Sequence, residues 1–192
     1  MPRPHRRRSI RLPGFDYRSR RWYFVTICAH DRLVFPAGFC RGGPSGPFGR
    51  LVGLRIALTD LGTLIDTEWT ALVRRFPWVV LGPAAVMPDH FHGLVGIDGT
   101  HCDRHRAALA HAHGTPRGSL SAAVQAFKTT TSKRWRRLAA ADSGSRPSHP
   151  LWQRNYWESV IRDGRHLQAV ERYIANNPGR LARKWGIWSC PQ

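Results

Sequence analysis

The stretch Met87-Pro88-Asp89-His90-Phe91-His92-Gly93-Leu94-Val95 places two histidines one residue apart, at the start of an apolar run with the composition of a β-strand. Side chains two residues apart on a strand point to the same face of a sheet. His90 and His92 are therefore expected to direct two imidazoles at one point, while Phe91 faces a core on the other side. Two imidazoles on one face can supply half of a metal site.

A second polar pair lies near the C-terminus, in Tyr173-Ile174-Ala175-Asn176-Asn177-Pro178. Tyr173 and Asn177 are four residues apart, which puts both side chains on one side of a predicted helix. With about 100° of rotation per residue, they lie at the edge of the apolar stripe of that helix. We therefore expect them at the boundary between helix and sheet, where side chains can reach a ligand.

Taken one at a time, these residues have ordinary structural explanations. Tyr173 could be a core tyrosine, Asn177 a helix C-cap before a proline, and each histidine a satisfied structural residue. Together they describe a reaction, because a divalent ion on two imidazoles and an amide oxygen would polarise a phosphodiester while Tyr173 attacks phosphorus. Mg²⁺ and Mn²⁺ are the expected cofactors, although imidazole ligands suit Zn²⁺ more cleanly and the spacing does not select the metal.

The charge of the chain predicts a polyanionic partner. The formal net charge is +18 and the sequence pI is about 11.5. Cations cluster near the N-terminus and in a predicted helix, each time beside aromatic residues that could stack on unpaired bases. The candidate nucleic-acid-binding residues are Arg6, Arg7, Arg8, Arg20, Arg21, Lys128, Lys133, Arg134, Arg136 and Arg137.

Length and composition indicate one domain, residues 21–192, preceded by a flexible basic arm, residues 1–20. The four cysteines are scattered and form no C-x-x-C pair, so neither a zinc ribbon nor a disulfide framework is indicated. The arginine-rich start lacks the apolar core of a signal peptide, and the longest apolar stretch is short. We expect a cytoplasmic protein without a membrane partner.

The hydrophobic pattern predicts alternating strands and helices. Strands are expected at residues 22–28, 78–86 and 90–97, with a shorter extended element at 151–161. Helices are expected to begin after Thr59, Ser119 and Asp163, and Pro178 disfavours helix at the residue before it. Residues 36–49 and 139–150 are predicted to be loops, and the histidine-rich segment 98–118 (His101, His105, His111, His113) is predicted to be solvated rather than a metal site.

These residues carry a resemblance to the REP-associated tyrosine transposases, a group of single-tyrosine HUH transposases. The matching segments occur in family order between about residues 22 and 188. The most specific feature is the His-x-His element in Val86 to Leu94, followed downstream by Tyr173 to Pro178. Residues 23–28, 124–129 and 151–162 also match.

The resemblance implies an α+β sandwich of ferredoxin-like or RRM-like type. Its antiparallel sheet carries helices on one face, and its C-terminal helix carries the tyrosine. It also implies that His90, His92 and Asn177 are metal ligands and that Tyr173 is the nucleophile, giving a 5′-phosphotyrosine link and a free 3′-hydroxyl. The implied partner is single-stranded or hairpin DNA, no small-molecule cofactor is expected besides the metal, and a monomer is expected.

Several features depart from the family or leave alternatives open. Asp89 stands where the family commonly has asparagine, and residues 36–49 resemble an insertion. Tyr156 is a rival nucleophile, placed in what reads as an extended core segment. The alternative function is a non-catalytic DNA- or RNA-binding protein, and a zinc hydrolase is disfavoured because no third histidine or glutamate base accompanies His90.

Overall fold

The computed structural model describes residues 14–30, 45–99 and 118–186. Most of the predicted basic arm, including Arg6, Arg7 and Arg8, and residues 100–117 of the histidine-rich segment lie outside these ranges. None of the helices within the described ranges is long and apolar enough to cross a membrane.

The main sheet contains four antiparallel strands in the order β5-β6-β1-β7. These are β1 (Trp22–Cys28), β5 (Val79–Val86), β6 (His90–Ile97) and β7 (Trp157–Val160). A smaller antiparallel sheet contains β2 (Ser45–Gly46), β3 (Gly49–Val52) and β4 (Arg55–Leu58). The helices are α1 (Asp60–Thr70), α2 (Leu72–Arg75), α3 (Leu120–Ser143) and α4 (Gly164–Lys184).

One face of the main sheet packs against α1 and α3. Alternate residues of β1 point into this core, where Tyr23, Val25 and Ile27 are fully buried. Trp69 of α1 is the central contact, with its ring 4.7 Å from that of Phe91. This arrangement confirms the predicted α+β fold and the predicted inward orientation of Phe91.

Helix α4 packs on the opposite face of the same sheet. Val170 and Ile174 form a separate buried cluster with Leu94 of β6 and Ile161. The predicted arrangement of helices on one face therefore describes α1 and α3 and is incomplete for α4. The reason is that Leu94 is also apolar, so β6 buries side chains on both faces and needs a second covering element.

Two predicted element boundaries are wrong. Residues 139–143 continue α3, which ends at Gly144 with a positive φ of 68°. Helix α4 continues through Pro178 to Lys184, because Leu181 and Ala182 beyond the proline are buried against Leu51 and Met87. The predicted helix starts after Thr59, Ser119 and Asp163 are confirmed, and each of these residues accepts a backbone N–H of the first turn.

The small sheet occupies the end of the predicted loop 36–49 and extends beyond it to Leu58. Its first strand lies against the turn before β6. Phe48, between β2 and β3, donates its backbone N–H to the carbonyl of Pro88 at 3.0 Å. A Cβ on Gly46 would overlap that same carbonyl oxygen. Leu51 of β3 joins Met87, Leu181 and Ala182 in one buried cluster. The small sheet therefore contacts both the turn that leads into His90 and the C-terminal half of α4.

Candidate active site

Strand register brings the two histidines together. Cys28 of β1 is opposite His90 of β6, and Thr26 is opposite His92. Directly opposed residues share a face of the sheet. The Nε2 atoms of His90 and His92 lie 3.1 Å apart, which confirms that the two imidazoles converge.

The Nδ1 atom of each imidazole contacts an oxygen of a neighbouring side chain. Nδ1 of His90 lies 2.6 Å from Oδ1 of Asp89, and Nδ1 of His92 lies 2.8 Å from Oγ1 of Thr26. A carboxylate only accepts, so Nδ1 of His90 carries the hydrogen, and in the neutral ring Nε2 then presents a lone pair. Carboxylate and hydroxyl partners of this kind fix the orientation and tautomer of metal-ligating histidines.

His92 is kept neutral by its surroundings. It is only 4% exposed, and burial is the main cause that lowers its pKa from 6.5 to about 3. The neighbouring His90 lowers the pKa further, whereas Asp89 opposes the shift. A neutral imidazole offers a lone pair on one nitrogen, which is the form that binds a metal ion.

The tautomer of His92 depends on what lies between the two rings. Without a cation, one of the facing Nε2 atoms must donate, so His92 donates to His90 and accepts from the Thr26 hydroxyl. If both Nε2 atoms bind one cation, the hydrogen of His92 moves to Nδ1 and is donated to Thr26. The hydroxyl can serve in both states because it is both donor and acceptor.

Helix α4 brings Tyr173 to the same place. The Tyr173 ring lies 5.5 Å from the ring of His92 and 5.7 Å from that of Phe24, edge-on in both cases. Phe24 also stacks on His92 at 5.2 Å, so one aromatic residue positions the other two. The guanidinium carbon of Arg180 lies 5.4 Å from the centre of the Tyr173 ring. Tyr173 is 36% exposed, which leaves it accessible to a substrate.

Asn177 lies one helical turn beyond Tyr173 and is buried, with 9% exposure. Its Nδ2 atom is buried and has no hydrogen-bond partner among the residues that the structure describes. Rotation of the amide by half a turn would place Oδ1 at the same position, and Oδ1 is the atom that binds a cation. The amide thus retains the bonding capacity that its predicted role requires.

The described part of the chain contains no group of three His, Cys, Asp or Glu side chains that could hold a metal ion. The predicted set differs from such a group because its third member is an amide. Two Nε2 atoms 3.1 Å apart can both reach a single ion, since each metal–nitrogen bond spans about 2.0–2.1 Å for zinc. The converging imidazoles and the carboxylate behind His90 are therefore compatible with a bound cation, and the buried amide of Asn177 lies one helical turn from the tyrosine that contacts His92.

The rival nucleophile Tyr156 lies elsewhere. It packs against the core beneath α1 and α3 and lines an open groove of about 520 Å³ beside α3. The histidines lie on the opposite face of the sheet, so only Tyr173 of these two tyrosines is in contact with His92.

The candidate DNA-binding cations on α3 have different surroundings. Lys133 and Arg136 are exposed and line the groove beside α3, and Arg137 is exposed as well. Arg134 is paired with the buried carboxylate of Glu68 at 2.6 Å. The ammonium of Lys128 donates to the carbonyls of residues 153, 154 and 155 at 2.7, 3.0 and 3.3 Å, so its hydrogens are used within the fold. At the start of β1, Arg20 and Arg21 are exposed and line a second cavity, beside Trp22.

Sequence reasoning missed three residues of this site. The sequence patterns do not identify Thr26, Phe24 or Arg180, and they mark Asp89 only as a departure from the family that the chain resembles. Thr26 and Phe24 alternate with the buried residues of β1, and this two-residue period places both side chains on the histidine face. The period does not show which residue of β6 lies opposite each of them.

No model of a known protein family matches the chain. A solved structure of a REP-associated tyrosine transposase bound to a REP hairpin is similar, with a TM-score of 0.50 and 16% identity, over 88% of this chain and 74% of that one. This similarity shows a shared fold.

Similarity in sequence is higher for an uncharacterized protein of Haemophilus influenzae. The two are 31% identical over 180 residues, which cover 91% of this chain and 89% of that protein. Similarity at this level over nearly the full length of both proteins shows common descent, and the chain belongs to the same family as the Haemophilus influenzae protein.

Proposed function

We propose that this protein nicks and rejoins single-stranded DNA with Tyr173 as the nucleophile, as a transposase. The observation that supports this best is the convergence of three side chains from distant parts of the sequence. The Nε2 atoms of His90 and His92 are 3.1 Å apart, and the Tyr173 ring lies 5.5 Å from that of His92. A purely DNA-binding protein would need neither the paired imidazoles nor an accessible tyrosine beside them.

In the proposed reaction the phenol oxygen of Tyr173 attacks the phosphorus of a phosphodiester. A bond forms between this oxygen and phosphorus, and the bond from phosphorus to the 3′ oxygen breaks. The phenol loses its proton to solvent, and the departing 3′ oxygen takes one up. The products are a 5′-phosphotyrosine and a free 3′-hydroxyl, and attack by another 3′-hydroxyl reverses the reaction and rejoins DNA.

His90, His92 and the amide oxygen of Asn177 would hold Mg²⁺ or Mn²⁺. The ion would supply stabilisation of negative charge at the phosphate, which a tyrosine with an ordinary pKa of about 10 needs near neutral pH. Asp89 and Thr26 orient the two imidazoles from behind. Arg180 lies beside Tyr173 and is placed to pair with a phosphate oxygen.

The proposed substrate is single-stranded DNA next to a hairpin. The net charge of +18 supports a polyanionic substrate, and the similar solved structure is of a transposase bound to a REP hairpin. Tyr173 contacts His92 of its own chain, which supports a complete site in a monomer.

A denaturing gel tests the proposal directly. Purified protein is incubated with Mg²⁺ or Mn²⁺ and a set of hairpin DNAs labelled at the 3′ end, and the products are denatured and separated. A covalent protein–DNA band is expected, because the 5′-phosphoryl side of the cut, which carries the 3′ label, remains on the tyrosine. The same DNA labelled at the 5′ end should give a shortened free strand.

Two tyrosine variants make the result specific. Tyr173→Phe should abolish the covalent band and leave DNA binding within about threefold, since a single hydroxyl is lost. Tyr156→Phe is the matched control and should retain the band, because Tyr156 lies on the core side of the sheet. Tight binding without an adduct under all metals, or an adduct that depends on Tyr156, would contradict the proposal.

A further inference from the structure

Trp157 is unusually exposed for a large aromatic side chain. At 63%, it is the most exposed large hydrophobic residue in the described part of the chain. No ring of another residue stacks on it within those ranges, whereas Phe24, His92 and Tyr173 all contact one another nearby. Exposure of most of an indole to water is unfavourable, and a ligand that covers it would remove that apolar surface from water.

Strand register places Trp157 on the face that bears the histidines. Trp157 of β7 is opposite Thr26 of β1, and Thr26 is opposite His92 of β6. Opposed residues share a face, so Trp157, Thr26 and His92 form a row across three adjacent strands. With about 4.8 Å between neighbouring strands, Trp157 lies about 10 Å from the backbone of His92.

Among the described residues, helix α4 leaves the β7 edge of this face open. Its main contacts with the sheet are to β5 and β6, and β7 is the edge strand on the other side of β1. The face is therefore covered over β5, β6 and part of β1, where Trp22 and Phe24 pack against the buried cluster of α4, and it is open at β7, where Trp157 and Ser159 are exposed. A strand of DNA whose phosphate reaches Tyr173 can cross this open edge.

We propose that Trp157 stacks on an unpaired nucleobase of the DNA strand, next to the phosphate that Tyr173 attacks. The proposal rests on the proposed function and adds the residue that holds the substrate base. An indole presents a π face that any unpaired base can cover. Arg154 and Arg162 flank β7 in the sequence and are exposed, so cations are available for the phosphates on either side of that base.

Equilibrium binding tests the contact without requiring cleavage. The probe is a fluorescent DNA hairpin with single-stranded flanks, and its affinity is measured by anisotropy. Trp157→Ala should weaken binding by about 5- to 100-fold, the range expected for loss of one base–aromatic stack. Trp157→Phe should recover most of the affinity because it retains an aromatic face. Leu138→Ala on α3, which alters a residue that is 50% exposed, is the matched control and should bind as the wild type.

An abasic scan identifies the partner base. Each flank nucleotide is replaced in turn by an abasic site, and the wild type and Trp157→Ala are compared on every probe. At one position the abasic site should weaken wild-type binding and have no further effect on Trp157→Ala, which is the signature of a direct pair in a double-mutant cycle. Purely additive losses at every position, or Trp157→Ala binding like the wild type, would overturn the inference.

The abasic scan and the denaturing gel distinguish failure of the base contact from failure of the proposed catalysis. Coupling between Trp157 and one base without any covalent adduct would retain the base contact and reject catalysis. An adduct without coupling would retain catalysis and reject the base contact. Loss of self-association in Trp157→Ala with unchanged DNA affinity would show that a second copy of the chain covers the indole, and would also overturn the inference.

Discussion

The backbone of Gly46 lies directly against the carbonyl oxygen of Pro88, with no space for a side-chain carbon at position 46. The same carbonyl accepts a hydrogen bond from the backbone N–H of Phe48. Pro88 and Asp89 form the turn into β6, and Asp89 holds His90. The small sheet thus supports the orientation of the His90 imidazole through this turn.

Gly46→Ala should therefore impair catalysis more than DNA binding. The added methyl group must displace the turn, which shifts Asp89 and His90 relative to Tyr173, and small misplacements of catalytic groups cost about 100-fold in rate. The rate of adduct formation at saturating DNA should fall by about 10- to 100-fold, with binding within about threefold. Gly164→Ala is the control, because a Cβ there meets no atom within 4 Å. Equal rates of adduct formation in Gly46→Ala and Gly164→Ala would show that the small sheet does not support the orientation of His90.

Asp89→Ala should weaken metal binding. The carboxylate orients His90 through a 2.6 Å contact to Nδ1, and loss of such a partner commonly lowers metal affinity by about 10- to 100-fold. The metal affinity of Asp89→Asn should lie between those of the wild type and Asp89→Ala, because the amide oxygen still accepts a hydrogen bond from Nδ1 of His90. Calorimetric titration with Mn²⁺ measures the metal affinity of the wild type and of both variants. Identical affinities would show that Asp89 has no part in a metal site.

Lys128→Met should destabilise the fold. Its removal leaves three carbonyl groups of residues 153–155 without their shared donor, which we expect to cost about 2–3 kcal/mol. Burial lowers the pKa of Lys128 from 10.5 to about 8, so above pH 8 the native state binds fewer protons than the unfolded state.

The stability of the wild type relative to Lys128→Met should therefore rise between about pH 8 and 10.5. Urea unfolding of both proteins across this range measures the difference. A difference that falls as the pH rises would contradict the lowered pKa.

Replacing two neighbouring arginines of α3 by glutamine should affect different properties: DNA binding for Arg136 and stability for Arg134. Arg136→Gln removes an exposed cation in the groove beside α3, and if it contacts a phosphate, the salt slope of DNA binding should decrease by about 0.7–0.9. Arg134→Gln instead leaves the buried carboxylate of Glu68 with Arg75 as its remaining partner, at a cost of about 1–3 kcal/mol in stability. Thermal unfolding and binding at several salt concentrations separate the two effects.

The histidine pair could be predicted from sequence because its geometry is local. The two-residue period of a strand places His90 and His92 on one face whatever β6 pairs with, and the predicted strand at 90–97 coincides with β6. The three helix starts were also predictable, since Thr59, Ser119 and Asp163 each cap the helix that follows within the next few residues.

The features that depend on distant contacts were not predictable. A proline inside a helix costs about 3 kcal/mol, and nothing near Pro178 indicates that Leu181 and Ala182 offset this by packing against Leu51 and Met87. Lys128 resembles a phosphate-binding cation in sequence because its carbonyl partners lie on a separate segment.

The buried cluster of Leu51, Met87, Leu181 and Ala182 also limits how the sequence can change over time. Its members come from the small sheet, the turn before His90 and the helix that carries Tyr173, and none of them has a chemical role. A larger side chain at Leu51 must be matched by a smaller one at Leu181 or Met87 if the histidines and the tyrosine are to stay aligned. Among relatives that keep the reaction, the side-chain volumes at these positions should vary together, so that an increase at one position is compensated by a decrease at another.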